Sequence, residues 1–171
     1  MDFTPGIFFM DLASVTEGRN TSWVNATLAN QLALYVTMYS PLQMAADTPE
    51  HYSKFMDAFQ FIKDVAVDWQ ESRYLCAEPG DYIIVARKAK GSGQWFCGGV
   101  TDENPREFDV KLDFLELGKY EATIYADAAD AHYLTNPQAY VIEKQVVDAD
   151  STLHLRMAAG GGFGISFERC K

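Results

Sequence analysis

Hydrolytic chemistry usually needs a nucleophile beside a base, or two carboxylates facing each other across a cleft. Acids are plentiful here, with 24 Asp and Glu against 14 Lys and Arg in 171 residues. They gather in short turn-like clusters: "TDEN" at 101–104, "DAADA" at 127–131 and "VDAD" at 147–150. Such clusters describe solvated edges rather than a facing pair. "DAADA" and "DADST" have the look of calcium loops, but neither has the ligand count of a dedicated site such as the EF-hand loop. There is no GxSxG, no HExxH and no Cys/His arrangement. Cys76, Cys97 and Cys170 are widely spaced and lack metal-ligand spacing. They read as buried structural thiols, with one disulfide and a leftover thiol as the alternative. His51, His132 and His154 are isolated, so no metal ligands are assigned. "AGGGFG" at 159–164 looks like a phosphate-binding loop, yet no helix and no Lys-Ser/Thr follow it. A tight hairpin between two strands is the expectation there. Trp69, Trp95 and Tyr133 are candidates for stacking on sugar rings, with burial in a core as the competing use.

The elements that must position these residues fall into two parts. Phe3 to Phe9 is apolar, interrupted by Pro5-Gly6, and reads as a strand. Residues 10–26 are loop-like. Thr27 is placed to cap a helix, and "LANQLALYVTMY" is apolar on almost every face, as in a helix buried on more than one side. Ser40-Pro41 should kink or split it, with Ser40 capping a second piece. Thr48-Pro49-Glu50 starts another helix, with Tyr52, Phe55, Met56 and Phe59 as its inward stripe. At about Val65 the period changes. "EFDVKLDF" alternates cleanly, with Phe108, Val110, Leu112 and Phe114 on one face. About eight short strands with regular turn signals follow, the pattern of an antiparallel sandwich or barrel.

The composition narrows the function classes. A hydrophobic share of 48% is that of a globular chain. The net charge of −10 excludes the basic footprint expected for nucleic acid and offers no polybasic patch for anionic lipid. The N-terminus has no basic stretch followed by an apolar one, so no signal peptide is read there. No run approaches the length of a membrane span. Asn20 and Asn25 sit in glycosylation sequons, which matter only in a eukaryotic secretory pathway.

The segments "MDFTPGIF", "NQLALYVTMYSPLQMAADTPEHY", "FIKDVAVDWQESRYLCAEPGDYIIVARK", "WFCGGVTDE" and "MAAGGGFGISF", in this order, resemble the C-terminal end of glycoside hydrolase family 97. That family contains bacterial α-glucosidases and α-galactosidases, often from gut Bacteroidetes. The resemblance runs over essentially the whole chain. It implies an α+β arrangement. Residues 1–64 would be the last, incomplete β/α unit of a (β/α)8 catalytic barrel: strand, loop, helix, helix. Residues 65–171 would be a C-terminal antiparallel β-sandwich, associated in this family with packing and oligomerisation. "MDFT" would be the final barrel strand, with Met1 either an internal residue or a start.

The resemblance also implies that the catalytic carboxylates and the calcium ligands lie upstream. No catalytic residue and no cofactor is therefore assigned to this chain, and alone it is expected to be inactive. Barrel active sites lie at the C-terminal ends of the strands, so Asp2, Thr4 and Asp11 are candidates for contacts near the substrate. The expected partners are the remainder of the parent enzyme and further copies of itself. The parent is expected to be periplasmic or secreted in a bacterium. The competing reading is a carbohydrate-binding sandwich that uses its surface aromatics.

Overall fold

The computed structural model describes residues 4–10 and 23–170. Asp2, Asp11 and the sequon at Asn20 lie outside them. Three helices come first: α1 (Leu28–Thr37), α2 (Pro49–Tyr52) and α3 (Met56–Asp64). Eight strands follow: β1 (Trp69–Glu78), β2 (Tyr82–Ala89), β3 (Trp95–Thr101), β4 (Arg106–Lys111), β5 (Tyr120–Asp127), β6 (Tyr140–Val147), β7 (Thr152–Met157) and β8 (Gly162–Arg169). Six form an antiparallel sheet in the order β1-β2-β3-β8-β5-β6, and β4 pairs with β7 in a second, two-stranded sheet.

The large sheet is covered on both faces. On one, Trp95, Cys97, Ile84, Ile124, Phe163, Ile165 and Phe167 pack against Val110, Leu112, Phe114, Leu153, Leu155 and Met157 of the small sheet and the chain after β4. On the other, Val85, Phe96 and Tyr125 pack against Leu28, Leu32, Val36 and Phe61 of the helices. This accounts for the near-continuous burial of β2, β3 and β8, as expected of a strand enclosed on both sides. The alternation read in "EFDVKLDF" reports a strand with one face in water: Val110, Leu112 and Phe114 are buried and their neighbours are exposed.

Four local expectations are corrected. The apolar opening is not a strand over residues 4–10. Its N–H groups are taken up by side chains instead of a ladder. Gln31 Oε1 accepts from Gly6 and Ile7 at 3.1 and 3.2 Å. Asp47 Oδ2 accepts from Phe8 and Phe9 at 2.8 and 2.7 Å. The Tyr35 and Tyr52 hydroxyls donate to Pro5 O and Gly6 O, and Gln138 Nε2 donates to Phe8 O. Phe8 is fully buried, edge-on to Tyr52 and Phe55. The second correction concerns Ser40. No helix follows it. Its hydroxyl donates to Leu42 O, and the chain to residue 47 is irregular.

Third, the predicted single helix after Thr48 is two. Phe55, at φ −139° and ψ 45°, breaks it. Past the break the inward positions are Ala58 and Phe61, while Met56 points to solvent. Fourth, "AGGG" does not join paired strands, because β7 belongs to the small sheet and β8 to the large one. The glycines carry the chain from one layer to the other, with Gly160 at φ +64°.

Candidate functional site

The residues that join the helical layer to the sandwich form the most constructed part of the molecule. Thr27 Oγ1 caps α1 by accepting from Asn30 N at 3.1 Å. The first N–H groups of a helix have no partner within it. Here the sandwich supplies them. Thr27 N donates to Gly160 O at 3.0 Å and Leu28 N to Pro137 O at 2.7 Å. Asn30 Nδ2 adds a bond to Gly161 O at 3.0 Å. Downstream, α1 lies directly on glycines of the sheet. A Cβ on Gly98 would stand 2.8 Å from Val36 Cβ and 2.9 Å from Ala33 O; one on Gly162 would stand 2.9 Å from Asn30 Cα. At the far end Arg87 Nε donates to Val36 O, one of the last carbonyls of α1, and Nη1 donates to Ser72. Its guanidinium lies between the rings of Tyr39 and Tyr74.

Asp127 holds the glycine turn. Its Oδ2 accepts from Ala158 N and Gly162 N, both at 2.8 Å. Among the described residues it is the one acid that is buried as a whole residue. Burial pushes its pKa above the ordinary carboxylate value, although the nearby Thr27 hydroxyl, the amide bonds from Ala158 and Gly162 and the nearby Arg156 pull the other way. It faces backbone amides and not a second acid, so it belongs to no acid–base pair. At Asp47, which holds the opening stretch, burial opposes ionisation, but bonds from His51 and from the Phe9, Thr48 and Phe8 amides hold its pKa below the ordinary value. Cys76, Cys97 and Cys170 are all free thiols, and burial pushes the Cys97 thiol up.

The sequence-predicted site residues are scattered. Thr4 is half-buried at the start of the clamped segment. Trp95 is 1% exposed and packs on Phe114 between the sheets, so it has no ring face for a sugar. Trp69 is partly buried on the opposite, helical face, against Phe96. Tyr133 is elsewhere again, on the loop between β5 and β6. Trp69, Trp95 and Tyr133 therefore form no common platform. Tyr133 instead lines an open cleft of about 550 Å3 with Trp23, Asn25, Thr101, Asp102, Glu103, Leu134 and Gly160. The sequence signal for Trp23 was a lone tryptophan in a loop-like stretch, outside any apolar period. Among the described residues no group of three or more His, Cys, Asp or Glu is placed to hold a metal.

Comparison with known proteins agrees with this geometry. Residues 68–168 match the family described as glycosyl-hydrolase 97 C-terminal, oligomerisation. A retaining alpha-galactosidase of Bacteroides thetaiotaomicron is 36% identical over 142 residues, which is 83% of this chain and 21% of that protein. A probable retaining alpha-galactosidase of Streptomyces bingchenggensis is 32% identical over 163 residues, 95% of this chain and 22% of that protein. A glycoside hydrolase family 97 enzyme from Pseudoalteromonas sp. strain K8, solved in complex with panose, superposes on all of this chain with a TM-score of 0.94 and 46% identity. The matched part is 26% of that structure. This chain therefore spans about a fifth to a quarter of its relatives' length, and it belongs to the C-terminal region of glycoside hydrolase family 97.

Proposed function

We propose that this chain is the structural and oligomerisation region of an enzyme acting on α-glucosides or α-galactosides, and that catalysis and calcium binding belong to the rest of the parent. The carrying observation is the seating of α1. Its N-terminal amides bond to sandwich carbonyls and its body lies on Gly98 and Gly162, so the helical layer and the sandwich are built as one unit. A brace of this kind fixes the end of a barrel to a rigid partner. The family description supports the oligomerisation half of the reading. So do the exposed rings of Tyr39 and Tyr74, which both meet the Arg87 guanidinium, since tyrosine is among the residue types enriched at interfaces. The apolar opening and α1 supply no such surface, because each is covered within the chain.

Sedimentation velocity at tens of micromolar tests the oligomerisation. The expected result is a dimer or larger species that Tyr74→Asp shifts toward monomer. A clean monomer for the unaltered chain would overturn it. The carbohydrate-binding reading is favoured at one place, the cleft beside Tyr133.

A further inference from the structure

We propose that the cleft between Trp23 and Tyr133 is a binding site for a short, neutral, α-linked oligosaccharide. Its volume, about 550 Å3, falls within the range of small-ligand sites, roughly 300–1,000 Å3. The wall chemistry is mixed in the way a pyranose needs. Trp23 is 49% exposed, and with Tyr133 and Leu134 it offers apolar surface for the C–H faces of a sugar ring. Asn25 and Glu103 supply polar groups for its hydroxyls, while the Thr101 hydroxyl and the Asp102 carboxylate are engaged by Arg106 and Asn104. The charged lining residues are Asp102, which is paired with Arg106, and Glu103, and no Lys or Arg lines the cleft. An anionic ligand is disfavoured beside Glu103, whereas a hydroxyl group can donate to its carboxylate.

The walls are also fixed in advance. Gly160 N donates to Asp102 O at 2.7 Å, Thr27 N to Gly160 O at 3.0 Å and Tyr133 N to Ala159 O at 3.2 Å. Arg106 bonds the Asp102 carboxylate. Gly160 has no side chain, which leaves room for the Tyr133 ring to lie against the turn. A preformed cleft avoids part of the ordering cost of binding.

The choice of α-linked sugar rests on the function proposed above; the choice of a neutral saccharide rests on the cleft alone. The test is a titration of the full chain with maltotriose and raffinose, followed by tryptophan fluorescence, with cellotriose alongside. Trp95 is in the core and Trp69 half-buried, so Trp23 is the most exposed of the three tryptophans. The expected result is saturable quenching by at least one α-linked sugar. Tyr133→Ala should weaken it by about tenfold, as for loss of an aromatic face. Trp23→Phe should lose the signal but keep binding by calorimetry. No saturable binding of any of the three sugars, or binding unchanged in Tyr133→Ala, would overturn the site. Equal or tighter binding of cellotriose would overturn the α-linked assignment. None of these outcomes bears on self-association, which sedimentation reads separately.

Discussion

Asp127 shows how one buried carboxylate can be structural. Its two amide bonds hold the turn that receives the start of α1, so losing it should loosen the helix as well as the loop. Asp127→Ala leaves the amides of Ala158 and Gly162 buried without a partner, at a cost of about 1–3 kcal/mol in chemical denaturation. Asp127→Asn keeps an acceptor for them and should cost far less. The pH dependence has a definite sign. The folded pKa is raised, so the fold favours the protonated form. This group's contribution is greatest below the unfolded value near 3.8 and declines as pH rises through the folded value. Asp127→Asn lacks this dependence, so the stability of the unaltered chain relative to Asp127→Asn should rise on acidification. A relative stability that fell as the pH fell would contradict this. None of it was legible in "DAADA", where Asp127 reads as one more turn acid. Burial and amide partners from residues 31 and 35 positions away leave no local mark.

Among the elements, the contact of α1 with the sheet is decided by Gly98, in a segment the sequence reads as a strand, and by Gly162, in the stretch it reads as a hairpin. Gly98→Val forces a side chain into Val36 and Ala33. It should lower stability by about 1–3 kcal/mol through overpacking, measured as a shift in the urea midpoint. A midpoint unchanged by Gly98→Val would show that the helix does not rest where described. The strands themselves were largely legible, because "EFDVKLDF" and the turn residues between strands are local signals. The eight expected strands are all present. The opening stretch was not legible as it stands. Its apolar composition is that of a strand, but Gln31 and Asp47 provide the partners a ladder would have provided. The helix after Thr48 was misread because a 3.6-residue period runs on through Phe55, where the backbone leaves the helical conformation. "AGGG" was legible as a turn, but not which sheets it connects, since strand pairing is a long-range property.

Taken as a whole, the molecule is three layers sharing one central sheet. The helical layer has little on its own to stabilise it: α2 is a single turn, and α1 keeps almost no polar face. Its core is completed by Val85, Phe96 and Tyr125 of the sheet. A division at residue 64 or 65 therefore marks a change of secondary structure and not a gap between cores. The sandwich grips the helical layer through shared hydrophobic packing and through the bonds to the start of α1. The most direct test is differential scanning calorimetry of the full chain, with van't Hoff and calorimetric enthalpies compared. One cooperative transition with equal enthalpies is predicted, shifted as a unit by Gly98→Val. Two separable transitions, or a helical layer that melts while the sandwich stays folded, would contradict the claim that the two are one structural body.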